Sequence, residues 1–521
     1  MSSHFDIVII GSGAGGATLA QRLAPTGKTI LILERGEHLP REAENWSAKS
    51  VFIDHRYRTK EHWYDKHSKP FSPNTHYWVG GNTTFYGAAL MRLRGSDFQE
   101  VKHPGGVSPA WPLSLTDLRP YYDEAETLWR VHGARGQDPT EEGDEPPYAH
   151  PPLKDDPGIA SLRSHLETQG WKPFHLPLGV NRDDQKWLNS PCIRCKTCGG
   201  YPCLMKAKSD ARTIAVEPLL DLPNVTLLTG RKVERLETDA SGRTVTAVVC
   251  STLQGEEQWT GDIVVLAAGA VNTAVILLAS ANAQHPSGLA NGSDQVGRNY
   301  MFHTLTAVVS LTAAPLQTTF PKTLAVNDFY HNDPRGGFDL PMGHIQALEY
   351  MSGQTLEGQV SAILPPSLLP GALMDAAAER MLSFLVISED LPLPDNRVRL
   401  GTDGRIFLDY TYNNLEGHNR LVKTLDQALE GFVDHKHSLS EHHFQLESLL
   451  PLYGTAHMNG TTRMGADARA SVVDPTCKAH ELDNLYITDA SVFCSSAAVN
   501  PTLTIVANAM RVGDHLKERL K

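Results

Sequence analysis

The sequence predicts an α/β fold in which one nucleotide-binding domain is assembled from separated pieces of chain and a second domain is inserted between them. Three observations predict it. Phe5 to Ile10 is a short apolar, β-branched run, as a parallel strand buried on both faces shows. It feeds straight into Gly11, Ser12, Gly13, Ala14, Gly15 and Gly16, and an alanine- and leucine-rich helix follows to about Leu23. Matching strand signals recur far downstream, at Asp262 to Leu266 and at Asn484 to Asp489, each followed by small residues and a helix.

The elements follow in order. Thr29 to Leu33 is a second strand ending in Glu34, which completes a βαβ start. Between 136 and 157, prolines alternate with acids such as Glu141, Asp144, Glu145 and Asp156, which suits an exposed loop or arm better than helix or core strand. Asn224 to Glu237 and Val245 to Gln258 read as successive strands of a β-meander that ends in the buried strand Asp262 to Leu266. The turn Ala267, Ala268, Gly269, Ala270 then leads into a helix. Ile263 to Ala281 imitates a membrane span, but Gly269, Asn272 and Thr273 interrupt it, and strand, turn and helix explain it better. An irregular stretch covers 321–343, and Pro365, Pro366, Pro370 and Gly371 open an apolar helix reaching about Leu385. Thr502 to Arg519 is a long helix with apolar residues at helical spacing.

The chain has 521 residues, enough for roughly three units at about 150 residues each, but this element order reduces them to two interleaved domains. Hydrophobic residues make up 41% and charged residues 20%, the balance of a globular chain with a large core. The net charge of -12 opposes phosphate backbones and anionic lipid, so neither nucleic acid nor membrane is an expected partner. Seven cysteines are too few for a secreted disulfide framework, and MSSHFDIVII lacks the basic and long apolar regions of a signal peptide. A cytoplasmic protein is expected.

Gly11, Gly13 and Gly16 fit GxGxxG, in which the first glycine allows the turn, the second admits a pyrophosphate and the third lets helix and strand pack. Glu34 stands 23 positions after Gly11 at a strand end, where a carboxylate can accept hydrogen bonds from a ribose diol. An acid there repels a ribose phosphate, which disfavours NADP and leaves FAD and NAD.

Five motifs occur in order: Glu34, Arg35, Gly36; WVGGNTTFYGA from Trp78 to Ala88; AHMNGTTRMG from Ala456 to Gly465; NLYITDASV from Asn484 to Val492; and NPTLTIVANAM from Asn500 to Met510. Together they resemble, over the whole chain, the glucose-methanol-choline oxidoreductase family, and within it most closely the pyranose oxidase branch with its bacterial sugar and C-glycoside 3-oxidase relatives. The resemblance implies a Rossmann-like FAD-binding domain with an interleaved α+β substrate-binding domain built on an antiparallel sheet. The FAD domain would comprise 1–95, 191–304 and 451–521, and the substrate domain 96–190 and 305–450.

Flavin oxidation of an alcohol needs a base for the hydroxyl proton while hydride leaves the same carbon. His457 falls on the family's first catalytic position and Asn500 on the second, where Asn500 would orient the substrate oxygen. A helix N-cap before Pro501 is the structural reading of Asn500, and the two are compatible. The resemblance also assigns Gly11, Gly13, Ala14, Gly15, Gly16, Glu34, Arg35, Gly80, Gly81, Asn82, Thr83, Val233, Ala268, Asp489, Ala490 and Thr502 to the cofactor. Gln346 is a candidate sugar contact, although a buried structural amide fits its strand equally. Relatives that tether flavin covalently carry histidine where this chain has Phe85, which implies dissociable FAD.

The implied reaction converts a secondary hydroxyl of a pyranose sugar or glycoside, at carbon-2 or carbon-3, to the ketone, with oxygen or a quinone as electron acceptor. The alternative is a dehydrogenase for choline or another nonsugar alcohol that passes electrons to a quinone or protein. Cys192, Cys195, Cys198 and Cys203 could ligate zinc or an iron-sulfur cluster, but without a second matched pair the expected metal is none. The run Asp434, His435, Lys436, His437, Glu441, His442, His443 reads as a solvated segment rather than a metal site.

Overall fold

The computed structural model describes residues 4–312, 314–360, 371–432, 446–454 and 456–521. Its largest sheet has seven strands. Five segments far apart in sequence pair in parallel: Val225–Leu228, Ile30–Leu33, His4–Ile10, the C-terminal part of Gly255–Leu266, and Leu485–Ile487. His4–Ile10 lies inside this array, and Ile7, Val8 and Ile9 are fully buried, which accounts for the absence of polar alternation in that run.

Gly255–Leu266 belongs to two arrangements at once. Its exposed first part pairs antiparallel with Val245–Thr252, which pairs in turn with Lys232–Thr238, while its buried end from Ile263 onward joins the parallel strands. The meander is therefore shorter than the sequence predicts: Val225–Leu228 leaves it and runs parallel to Ile30–Leu33. Its apolar alternation is common to both kinds of strand, so pattern alone does not choose its neighbour.

Helix Ala14–Leu23 packs on the C-terminal helix Thr502–Arg519. Gly513 makes the approach possible, since a Cβ there would stand 2.6 Å from Arg22 Cγ. Arg22 then closes the contact with two hydrogen bonds to Asp514, at 2.8 and 2.6 Å. The span-like segment 263–281 resolves into strand end, turn and helix Ala270–Ala279, and no described helix is long and apolar enough to cross a membrane.

A six-stranded antiparallel sheet forms the second body, in the order Leu446–Leu449, Thr304–Leu311, Met381–Ser388, His344–Ala347, Leu324–Val326, Phe174–His175. Helix Leu415–Leu429 lies on it, and Leu421 and Leu425 share a core with Phe384 and Val386. The helix that opens at Gly371 ends at Ala378, so the expected reach to Leu385 is incorrect. Met381–Ser388 is a strand between two others, and its mixed β-branched and leucine content suits a strand buried on both faces. Pro365, Pro366 and Pro370 lie outside the described residues, as do His435, His437 and the rest of that charged run.

The 136–157 segment is irregular and mostly exposed, and a few buried charges pin it to the body. Asp138 is buried against Arg94, and Arg135 bonds Glu126, Glu141 and Glu145 within 3.0 Å. Paired charges can be buried where single ones cannot, and composition does not reveal the pairing.

Candidate active site

A cavity of about 970 Å³ runs from the C-terminal ends of the parallel strands to the antiparallel sheet. Gly11 turns the chain at one end of the cavity with φ +102°, and a Cβ there would lie 2.4 Å from the carbonyl oxygen of Ala267. Gly15 and Gly16 are equally tight, against Thr488 and Gly11 carbonyl oxygens at 2.1 Å each. Gly13 differs: it lines the cavity, and a Cβ there would meet no atom within 4 Å. It also caps helix Ala14–Leu23, whose first turn carries no acid and no side-chain cap, so the first N–H groups point to an open, electropositive recess.

Glu34 receives Ser12 N at 3.0 Å, Ser12 Oγ at 2.7 Å and Gly36 N at 2.9 Å. Burial nevertheless raises its carboxyl above the ordinary range. Arg35 stacks 3.5 Å over the Tyr77 ring, and the Tyr77 hydroxyl donates to Glu61 at 2.5 Å. These side chains and Val233 wall the same end. The loop Gly80, Gly81, Asn82, Thr83 crosses beside the glycine turn, where a Cβ on Gly81 would stand 3.3 Å from Gly13 Cα. Asp489 ties two turns together, accepting from Gly269 N at 2.9 Å and Thr273 Oγ1 at 2.5 Å through one oxygen, and from Ser491 N at 2.8 Å through the other.

At the far end, His457 and Asn500 line the cavity beside Leu305 and Leu385 of the antiparallel sheet. The segment carrying His457 pairs with 299–303: Met301 N donates to Asn459 O at 3.1 Å and Asn459 N to Met301 O at 2.9 Å. In that antiparallel register the positions two residues away from this pair, 303 and 457, face each other. His303 Nδ1 accordingly lies 3.0 Å from His457 Nδ1. Burial, with His303 as neighbour, pushes the His457 imidazole down to about 3, so it is neutral near pH 7. The buried Asn500 Oδ1 has no hydrogen-bond partner in the protein, which leaves an acceptor for a ligand.

Of the residues singled out from sequence, Gly11, Gly13, Ala14, Gly15, Glu34, Arg35, Gly81, Asn82, Thr83, Val233, Ala268, His457, Asp489, Ala490, Asn500 and Thr502 line this one cavity. Gly16 packs helix against strand instead, and Gly80 N donates to Ser12 Oγ at 3.1 Å behind the wall. Gln346 is buried, with its amide oxygen 3.2 Å from His344 Nε2, and stands opposite Leu385 of the cavity wall in the antiparallel sheet without itself being in the lining. Asn500 is not the helix cap, because helix Thr502–Arg519 is capped by Pro501. His303 carried no signal in the sequence, since the 301–459 pairing that gives it meaning joins distant segments. All seven cysteines are free, and among the described residues no three His, Cys, Asp or Glu side chains converge to hold a metal. Cys198 Sγ is instead 3.1 Å from the Lys322 ammonium.

Residues 175–305 and 416–509 match two family models described as GMC oxidoreductase, and residues 9–71 match one described as an NAD(P)-binding Rossmann-like domain. The chain is 32% identical to 6'''-hydroxyparomomycin C oxidase of Streptomyces lividus, over 99% of its own length and 92% of the relative's. It is 30% identical to paromamine 6'-oxidase of Streptomyces fradiae, over 97% and 90%. Among solved structures, pyridoxine 4-oxidase from Mesorbium loti has the same fold, with a TM-score of 0.68 at 18% identity over 99% of each chain.

Proposed function

Because the chain belongs to the GMC oxidoreductase family of FAD enzymes acting on CH–OH groups, we propose that it oxidises a secondary hydroxyl of a pyranose sugar or glycoside, at carbon-2 or carbon-3, to the ketone. The observation that carries this reading is the single cavity that joins an open, uncapped helix N-terminus at Gly13 to His457 and Asn500. Two relatives named as oxidases of paromamine and of a hydroxyparomomycin support a sugar-bearing substrate.

The residues present fit FAD. Gly11, Gly13, Ala14 and Gly15 would hold the pyrophosphate, with Glu34, Arg35 and Val233 toward the adenosine. Gly81, Asn82, Thr83, Ala268, Asp489, Ala490 and Thr502 would lie along the remainder. Gly16 and Gly80 support this lining from behind. Phe85 has no nucleophilic atom, which supports dissociable binding. When bound, FAD supplies the acceptor for the hydride that leaves the carbinol carbon.

The protein's own part is to hold the alcohol and move a proton. His457, neutral and shielded, takes the hydroxyl proton as the carbon–oxygen bond becomes a carbonyl. Asn500 positions the oxygen, and its Nδ2 donates to the charge that develops there, a role in which one donor is worth about 3 kcal/mol. Leu305 and Leu385 exclude water on the sheet side. The electrons pass finally to oxygen or a quinone, and the working compartment is the cytoplasm.

Anaerobic mixing of the holoprotein with a panel of sugars, glycosides and choline tests this. Loss of flavin absorbance with a pyranose or glycoside, and a 2- or 3-keto product by NMR, is expected. Bleaching by choline alone overturns the substrate class, and oxidation at a 6-position, as the paromamine relative's name suggests, would be of an exocyclic primary hydroxyl and overturns the secondary-hydroxyl reading.

A further inference from the structure

We propose that His303 is a positioning residue whose hydrogen bonds dictate which ring nitrogen of His457 carries a proton, leaving Nε2 of His457 as the base. The proposal rests on the reading of His457 as base and extends it to a residue with no assigned role.

The chain of constraint begins at a backbone carbonyl. His303 Nε2 lies 2.9 Å from Ser496 O, and a carbonyl oxygen only accepts, so Nε2 carries the hydrogen. In a neutral imidazole the other nitrogen then holds a lone pair. His303 is completely buried and its imidazole is pushed down to about 4, so it is neutral over the working pH range. Its Nδ1 can therefore only accept, and the group 3.0 Å away, His457 Nδ1, must donate. A neutral His457 with hydrogen on Nδ1 carries its lone pair on Nε2.

The surroundings hold this arrangement in place. Ser496 is fixed by its hydroxyl, which bonds Asp390 N at 3.2 Å and Asp390 O at 3.1 Å. Phe302 N donates to Asp390 Oδ2 at 3.0 Å, so one aspartate secures both the carbonyl and the residue before the relay histidine. His303 itself has φ +72°, a left-handed conformation that a residue with a Cβ adopts at a cost. The rings meet edge to face, 5.1 Å apart at 90°. A purely space-filling residue at 303 would need neither the strained backbone nor two directional bonds.

Asparagine is the conservative replacement, because its Oδ1 can accept in place of Nδ1 and it tolerates the left-handed backbone better than other residues with a Cβ. In the holoprotein, His303→Ala is expected to slow anaerobic flavin reduction about 100-fold, with KM within threefold. His303→Asn is expected to recover at least tenfold of that loss. A wrong tautomer in a comparable relay costs up to about 10⁴-fold. Histidine-selective ¹⁵N NMR, assigned with His457→Ala, reads the tautomer without turnover: hydrogen on His457 Nδ1 supports the proposal and hydrogen on Nε2 overturns it. Unchanged reduction in His303→Ala also overturns it. If His303→Ala does not fold, the wild-type NMR spectrum still decides. A normal reduction rate in His457→Ala would instead remove His457 as base and leave the measured tautomer standing, so the two failures are distinct.

Discussion

Gly13 and Gly15, two positions apart in one turn, face opposite surroundings: a Cβ on Gly15 would lie 2.1 Å from Thr488 O, whereas a Cβ on Gly13 would meet nothing within 4 Å. Both line the cavity, but only Gly13 leaves open space that the proposed cofactor would fill, whereas Gly15 is also held tightly against the backbone. Gly13→Val is expected to fold with a near-normal melting temperature and to lose at least 90% of its bound FAD. Gly15→Val is expected to lose soluble protein or melt at least 10 °C lower. Thermal melts paired with flavin content per chain check this, and full FAD occupancy in Gly13→Val contradicts it.

The pH dependence follows from two depressed imidazoles. Only neutral His457 can accept a proton, so activity is lost as pH falls through its folded value of about 3 and that of His303, about 4. Flavin reduction at saturating substrate is expected to be flat from pH 8 to about 5.5, then to fall up to tenfold per unit below about pH 4.5. Asp390, raised to about 7 by burial, is a neighbouring carboxyl, and Asp390→Asn separates its titration from theirs. An acid limb near 6.5 that survives in Asp390→Asn contradicts the account.

FAD is expected to dissociate. Phe85 occupies the position where tethering relatives carry histidine, and it stacks on His76 with centroids 3.8 Å apart. His76 Nδ1 is itself 3.1 Å from Tyr57 O. Acid precipitation should leave more than 90% of the flavin in the supernatant. Yellow colour that stays with the precipitated polypeptide contradicts this.

The nucleotide end was readable from sequence because its chemistry is local. A glycine turn, the strand before it and Glu34 lie within 34 residues, and steric demands on glycine leave a direct imprint. His457 and Asn500 were recognisable through motif resemblance, and the structure brings them to the lining of one cavity. His303 was not legible, since its role depends on a two-strand register between residues 154 apart. The anchoring of the exposed 136–157 segment was not legible for a related reason: the partners of Asp138 and Glu145 are arginines at 92, 94 and 135, and composition counts charges without pairing them. The first part of strand Met381–Ser388, to about Leu385, reads as helix because buried strands and buried helices share an apolar composition.

In the proposed reaction a neutral His457 takes the substrate proton while FAD accepts the hydride. Single-turnover reduction of FAD-loaded His457→Ala, mixed anaerobically with the best pyranose or glycoside substrate, tests it most directly. Normal flavin content and reduction slowed about 10²- to 10⁴-fold are expected, the usual range for losing a general base. Reduction at the wild-type rate would contradict it.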